Sequence, residues 1–305
     1  MIVDIPSSDD FQAIGIQLLN TAWDTAASLL LDINEAEHFD VDTDEIEDAY
    51  WSAARMQLSS ALSIAQQGSE FLLKAKIAEI SPYLLLGTQP REWPKECSKK
   101  DTPFSSFRTI DAQDLIKVHN TVQLKKVPDE FIAEFEKLRQ QRNSIMHSID
   151  KNLSVHVKDL MMAILFINNN LGNEPNWSIV RSTYLKNTPL AQMHSEDWAN
   201  QQLVREFSIV LNLLSSKALK TFFNFDKKQR AYICPNCIYL LARDAEILSK
   251  TATLSPNTPD STTISCFVCN EIQEVDRENC SQPSCKGNVL SYESGHCLTC
   301  SSYIN

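Results

Sequence analysis

The sequence is poor in glycine, with six in 305 residues, roughly 2% against a usual ~7%. That is too few for the tight turns of a large barrel or sandwich, or for a glycine-rich phosphate loop. Helices are favoured, and nucleotide-binding α/β folds are disfavoured. No apolar run approaches the roughly 20 residues a membrane helix needs, and the chain does not start with a charged-then-apolar leader. The expected protein is therefore soluble and cytoplasmic, with no membrane partner. Bases are scarce at the start: residues 1–80 carry 15 acids and 3 bases, whereas the whole chain has a net charge of −11. The remainder is close to neutral, so a nucleic-acid partner is open to it but not expected at the N-terminal part. Cysteine is almost missing from the first 233 residues, where Cys97 stands alone without a base at an informative spacing.

What is present is a globular composition, 43% hydrophobic and 22% charged, long enough for one large domain or two ordinary ones. Residues 1–225 read as helical. Ser8-Asp9-Asp10 precedes Phe11, Ile14, Leu18, Leu19, Trp23, Ala26 and Leu30 at helical spacing, the pattern of a capped amphipathic helix. A second helix is expected from Asp42, with Glu45 completing a capping box, through Leu58 and Ala65 until Gly68 weakens it, and then on to Ser81-Pro82. Residues 32–48 hold nine acids. Asp40-Val-Asp42-Thr-Asp44 starts like a calcium loop, but Glu45 and Trp51 occupy the positions that need glycine and a bidentate glutamate. A solvated acidic turn is the expectation there. Four prolines within 82–110 predict a long loop. Helices are expected again from Asp111, from Pro128, from Ser154 to Gly172, as a turn or two around 179–185, and as one long helix from Ser195 to Phe223.

Within the Pro128 helix lies Arg142-Asn143-Ser-Ile-Met-His147. With ten Arg and six His in the chain, chance supplies about 0.6 Arg–His pairs at such spacings, and ~0.1 once Asn, Asp or His must follow the Arg. The triplet resembles the motif of the HEPN superfamily, helical bundles whose ribonuclease members carry Arg, a polar residue and then His, with four to six residues between the Arg and the His. The resemblance implies an HEPN-like bundle over 1–225 and a homodimer whose cleft is built from two facing motifs. It implies metal-independent cleavage of RNA, in which His147 moves the proton, Arg142 stabilises the phosphorane and Asn143 orients His147 or a phosphate oxygen. A role as toxin or phage-defence effector, with a protein trigger or antitoxin as partner, is likewise implied by the resemblance. Helical geometry adds a separate constraint. At ~100° per residue Arg142 falls in the stripe of Phe131, Phe135, Leu138, Ile145 and Ile149. A guanidinium in that stripe must meet a carboxylate, open into a cleft or face another subunit. His147 lies about 140° away from it, so one ideal helix does not unite the pair.

From residue 226 the texture changes. Cys234-x-x-Cys237, Cys266-x-x-Cys269, Cys280-x4-Cys285 and Cys297-x-x-Cys300 have the spacing of thiolate hooks for tetrahedral zinc, two hooks per ion. Two structural zinc ions are expected, and cytosolic disulfides are not. Pairing is either sequential, 234/237/266/269 with 280/285/297/300, or interleaved, and His296 is a minor substitute ligand. Four thiolates leave no open position, so neither ion is expected to be catalytic. The predicted fold is mainly α: an HEPN-like helical domain over 1–225, then a two-zinc, ribbon-like α+β domain over 226–305. The alternatives to an endoribonuclease are a catalytically silent dimeric adaptor and a zinc-ribbon nucleic-acid-binding regulator.

Overall fold

The computed structural model describes residues 1–38, 43–147, 154–195, 197–240 and 250–303; for 37, 38, 43–45, 146 and 147 only the backbone is described. The acidic turn around 39–42 and the Asp42/Glu45 capping box fall outside the described residues and side chains. The chain is mainly helical with a small C-terminal sheet, and it divides into two compact units, residues 1–29 with 36–175 and residues 30–35 with 176–305.

The first unit holds α1 (Ser8–His38), α2 (Thr43–Ala78), α3 (Ala112–Val122), α4 (Asp129–His147) and α5 (Val157–Leu171), residues 30–35 of α1 apart. The cap of α1 is Ser7: its hydroxyl accepts from the Asp10 amide at 3.1 Å, while the Asp10 carboxylate accepts from the Ser7 amide at 2.8 Å. This reciprocal box sits one residue ahead of the expected start and holds the Asp10 carboxyl below its usual range, through the Ser7 hydroxyl first and its amide second. Helix α2 packs on α3, α4 and α5, and it buries Leu58, Leu62, Ala65, Leu72 and Leu73 along one stripe.

Gly68 does not weaken α2, which runs unbroken through it. A Cβ there would lie 3.0 Å from Leu19 Cδ2 and 3.1 Å from the Gly15 carbonyl on α1, so the glycine permits close approach of two helices. Propensity alone favours Gly68→Val, but overpacking at such a crossing costs about 1–3 kcal/mol and outweighs it. A lowered thermal midpoint is the expected result; a raised one would show that the helices can part without cost.

The 82–110 segment is ordered by short 3-10 turns and by a parallel pairing of β1 (Ile2–Val3) with β2 (Thr102–Pro103). Its return strand closes on itself at Gly87, whose amide donates to the Arg108 carbonyl at 2.9 Å, while the Ile110 amide donates to Leu85 O at 2.8 Å. A Cβ at Gly87 would lie 2.7 Å from the Thr109 and Ile110 backbone. Residues 108–110 are held by this pairing.

The second unit holds α6 (Trp177–Lys186), α7 (Trp198–Leu213), α8 (Ser216–Phe223), α9 (Pro235–Leu240) and a five-stranded antiparallel sheet in the order β3 (Ala231–Tyr232), β4 (Ala252–Leu254), β5 (Thr263–Cys266), β6 (Ile272–Asp276), β7 (Leu290–Ser291). The single helix expected over 195–223 is two. Leu214 is extended, and the Ser215 hydroxyl restarts the chain as an N-cap by accepting from the Ala218 amide. The packing boundary lies between 175 and 176 and not at the compositional change near 226. Helices α6–α8 share a core with the cysteine-rich segment, where Phe267 meets the rings of Phe207, Phe223 and Phe225 at 6.3, 5.4 and 4.8 Å.

Candidate functional site

Arg142 and Asn143 lie on the last turns of α4, and His147 is its final residue. Phe131, Phe135 and Leu138 are buried as the stripe requires, while Arg142 and Ile145 are half-buried. Of the three outlets open to a guanidinium in that stripe, the structure shows the cleft. Arg142 lines a cavity of about 500 Å³ with Arg139 from α4, Glu70 and Lys74 from α2, and Arg108 to Gln113 from the 82–110 loop and the start of α3. Arg142 Nη1 donates to Asn143 Oδ1 at 3.1 Å, so this carbonyl supports the arginine next to it. The side chain of His147 lies outside the described atoms, as do Ile149 and the residues that follow it up to 153.

The cleft is cationic within an acidic protein. Among the described residues four of its side chains are positive and two, Glu70 and Asp111, are negative. Arg108 is forked onto Asp111 at 2.8 and 3.1 Å, and Arg139 onto Glu136 at 2.8 and 3.0 Å. Lys74 Nζ donates to Thr109 Oγ1 at 3.3 Å and lies 5.5 Å over the Phe71 ring. Burial pushes the Lys74 amine below its usual range, against the opposing pull of Glu70 and Asp111. Such a group gains from any anion that enters beside it.

The cysteines form two clusters, 234/237/266/269 and 280/285/297/300. This is the sequential pairing. In the first, Cys234 follows β3, Cys237 lies in α9, Cys266 ends β5 and Cys269 sits in the turn to β6. The sulfurs stand 3.6 Å apart for Cys234–Cys269 and 3.7 Å for Cys237–Cys266; the second cluster shows 3.7 Å for Cys280–Cys300 and 3.8 Å for Cys285–Cys297. A tetrahedron with Zn–S bonds of about 2.3 Å has edges of about 3.8 Å, so both clusters fit a structural zinc ion, and a disulfide of about 2.05 Å does not. His296 is in neither cluster; its ring meets Tyr303 at 5.3 Å.

Each cluster uses the same knuckle. After Cys269 and Cys300 the chain turns left-handed at Asn270 (φ 60°) and Ser301 (φ 56°), and their amides return to the carbonyls of Cys266 and Cys297 at 2.9 and 2.7 Å. Amides of Val268, Gln282 and Gly287 point at Cys266, Cys280 and Cys285 sulfurs at 3.4, 3.5 and 3.3 Å. The Ser302 hydroxyl, then its amide, lowers the Cys300 thiol from its usual range, while the Cys280 and Cys285 thiols of the same cluster are raised. Three sulfur-bearing residues of the first cluster are buried, against one of the second.

The first knuckle is tied to α6. Ser178 Oγ donates to Phe267 O at 2.7 Å, Asn270 Nδ2 donates to Ser178 Oγ at 2.9 Å, and Asn176 Nδ2 donates to Asn270 Oδ1 at 2.7 Å. No sequence pattern marks Asn176 and Ser178 as partners of a cysteine knuckle 90 residues away. Lys74 and Arg108 were equally silent, since nothing local relates them to α4. Arg139 stands three residues before Arg142, and that i,i+3 spacing was the available signal.

No family model, curated protein or solved structure matches the chain. Among the described residues no helix is long and apolar enough to cross a membrane.

Proposed function

We propose that the chain is an HEPN-like, homodimeric, metal-independent endoribonuclease, with Arg142, Asn143 and His147 as its site. The observation that carries the reading is the outlet of Arg142. The arginine of an Arg-Asn-x3-His helix opens into a cleft with Lys74, Arg108 and Arg139, and a cationic cleft in a protein of net charge −11 suits a phosphodiester.

The reaction requires little. An imidazole with an ordinary pKa near 6.5 takes the proton of a ribose 2′-hydroxyl. The 2′-oxygen bonds to phosphorus, the P–O5′ bond breaks, and a proton goes to the leaving 5′-oxygen. Arginine stabilises the charge on the equatorial oxygens. The products are a 2′,3′-cyclic phosphate and a 5′-hydroxyl. Since positions 142 and 147 lie about 140° apart on an ideal helix, a second protomer supplies the facing motif in this reading. Zinc in four-thiolate clusters keeps no open position and stays outside the chemistry. A role in toxicity or defence, with a trigger or antitoxin partner, belongs to the same reading.

Total RNA incubated in EDTA with wild type is expected to acquire cyclic-phosphate ends, and His147→Ala and Arg142→Ala to lose about 100-fold in rate while light scattering still reports a dimer. Uncut RNA with the dimer intact would instead identify a silent adaptor, and 5′-phosphate ends or a magnesium requirement would sink the mechanism.

A further inference from the structure

The composition of the cleft's wall says what part of a ligand it faces. Among the described residues its lining holds three arginines, a lysine, two acids, a threonine and a glutamine, with no aromatic residue, and its apolar members are Ile110 and Ala112. A pocket for a nucleobase or an aromatic cofactor is ordinarily lined by hydrophobic and aromatic side chains, and single-stranded bases are held by stacking. Among the described residues neither is offered. What is offered is a set of N–H donors converging from three places: Lys74 on α2, Arg108 beside Thr109 on the pinned loop, and Arg139 with Arg142 on α4.

The donors are also held in place. The Gly87 amide bonded to the Arg108 carbonyl fixes the loop, the Asp111 carboxylate forks Arg108, and Glu136 forks Arg139. Guanidinium groups restrained in this way lose little freedom on meeting a phosphate and match its oxygens two at a time. Arg142 alone is enough for the scissile phosphate; the other three cations exceed that need.

We propose that Lys74, Arg108 and Arg139 form a phosphate cradle that holds a neighbouring backbone phosphate of single-stranded RNA, gripping the strand without reading its bases. The ligand's source rests on the ribonuclease reading, whereas the cradle itself rests on the cleft. The residues serve as positioning groups and take no part in proton transfer. The lowered affinity of Lys74 for its proton agrees with this geometry, because an entering phosphate offsets the cost of burying the ammonium.

The test uses full-length, zinc-loaded protein and a fluorescent 2′-O-methyl oligonucleotide, which lacks the attacking hydroxyl and so reports binding whether or not the protein cleaves. Lys74→Gln and Arg139→Gln are each expected to weaken binding about tenfold and to lower the salt slope by about 0.7, with unchanged thermal midpoints. Arg139→Lys should recover part of the loss. Lys137→Gln, an exposed residue on α4 outside the cleft, should stay within about twofold of wild type. Uridine and adenosine oligomers should bind alike, and pyrophosphate should compete. Affinity losses no larger than that of Lys137→Gln would overturn the cradle. Binding of pyrophosphate or ATP without binding of RNA would overturn its assignment to an RNA strand, and a strong preference for one base would overturn backbone-only recognition. Binding that follows this pattern without any cleavage would leave the cradle standing and remove the nuclease.

Discussion

Cys237→Ser is expected to lower the zinc content by one equivalent and to abolish cooperative folding of residues 176–305. Cys237 is buried, its sulfur is 3.7 Å from that of Cys266, and the cluster joins the segment after β3 to the turn between β5 and β6. Structural zinc contributes about 10–16 kcal/mol of apparent binding energy in zinc-finger peptides, as much as or more than the ~5–15 kcal/mol net stability of a typical domain. Losing one thiolate also leaves the other three without their counter-ion. The second cluster should behave differently, because only one of its four cysteines is buried. A chelator titration is therefore expected to release zinc in two phases, with 280/285/297/300 emptying first. Cys97→Ser, outside both clusters, is the control and should keep the full zinc content and the wild-type melt. Two equivalents retained by Cys237→Ser, with an unshifted melt, would show that the cluster is no metal site.

Arg181→Met should cost about 3–5 kcal/mol, read as a lower urea midpoint at unchanged slope. Arg181 is 1% exposed and Glu206 6%. The guanidinium donates to the carboxylate through Nε at 2.9 Å and Nη2 at 2.7 Å, bridging α6 and α7. Methionine fills much of the same volume, so the expected loss comes from leaving a carboxylate buried without its partner charge. The double variant Arg181→Met, Glu206→Leu separates charge from shape. Removing both charges should return most of the lost stability, since well-packed apolar pairs often equal or exceed buried ion pairs. A double variant as unstable as the single one would place the cost in packing with Tyr184, whose ring lies 5.1 Å from the guanidinium carbon, and not in the orphaned charge.

Several features could be read without a structure because they depend on a few neighbouring residues. The apolar spacing in α1, α2 and α4 is a property of single helices, and the buried Trp23, Leu58 and Phe135 fall where that spacing puts them. Placing Arg142 in the stripe of Phe131 and Leu138 required only the helical period, and it restricted the guanidinium to three outlets. The eight zinc-spaced cysteines were equally visible, as each hook closes within a few residues. Boundaries were less legible. The Ser-Ser pair at 215–216 was the sole hint that α7 stops before α8, and Gly68 read as a weakness because its value lies on the facing helix.

The sequence by itself determined the helical character, the arginine that cannot stay buried alone, and the cysteine hooks, since these follow from backbone period and ligand spacing over one or two turns. Tertiary structure decided which hooks share a cluster, because the β5–β6 hairpin carries Cys266 and Cys269 back to Cys234 and Cys237. It decided that α6–α8 belong with the cysteine-rich segment, through the ring of Phe267 and the Ser178 hydrogen bond. It also chose the cleft as the outlet for Arg142 by bringing Lys74 and Arg108 beside α4. Those outcomes depend on where the chain reverses and which faces meet, and contacts between residues tens of positions apart leave no periodic trace along a single sequence.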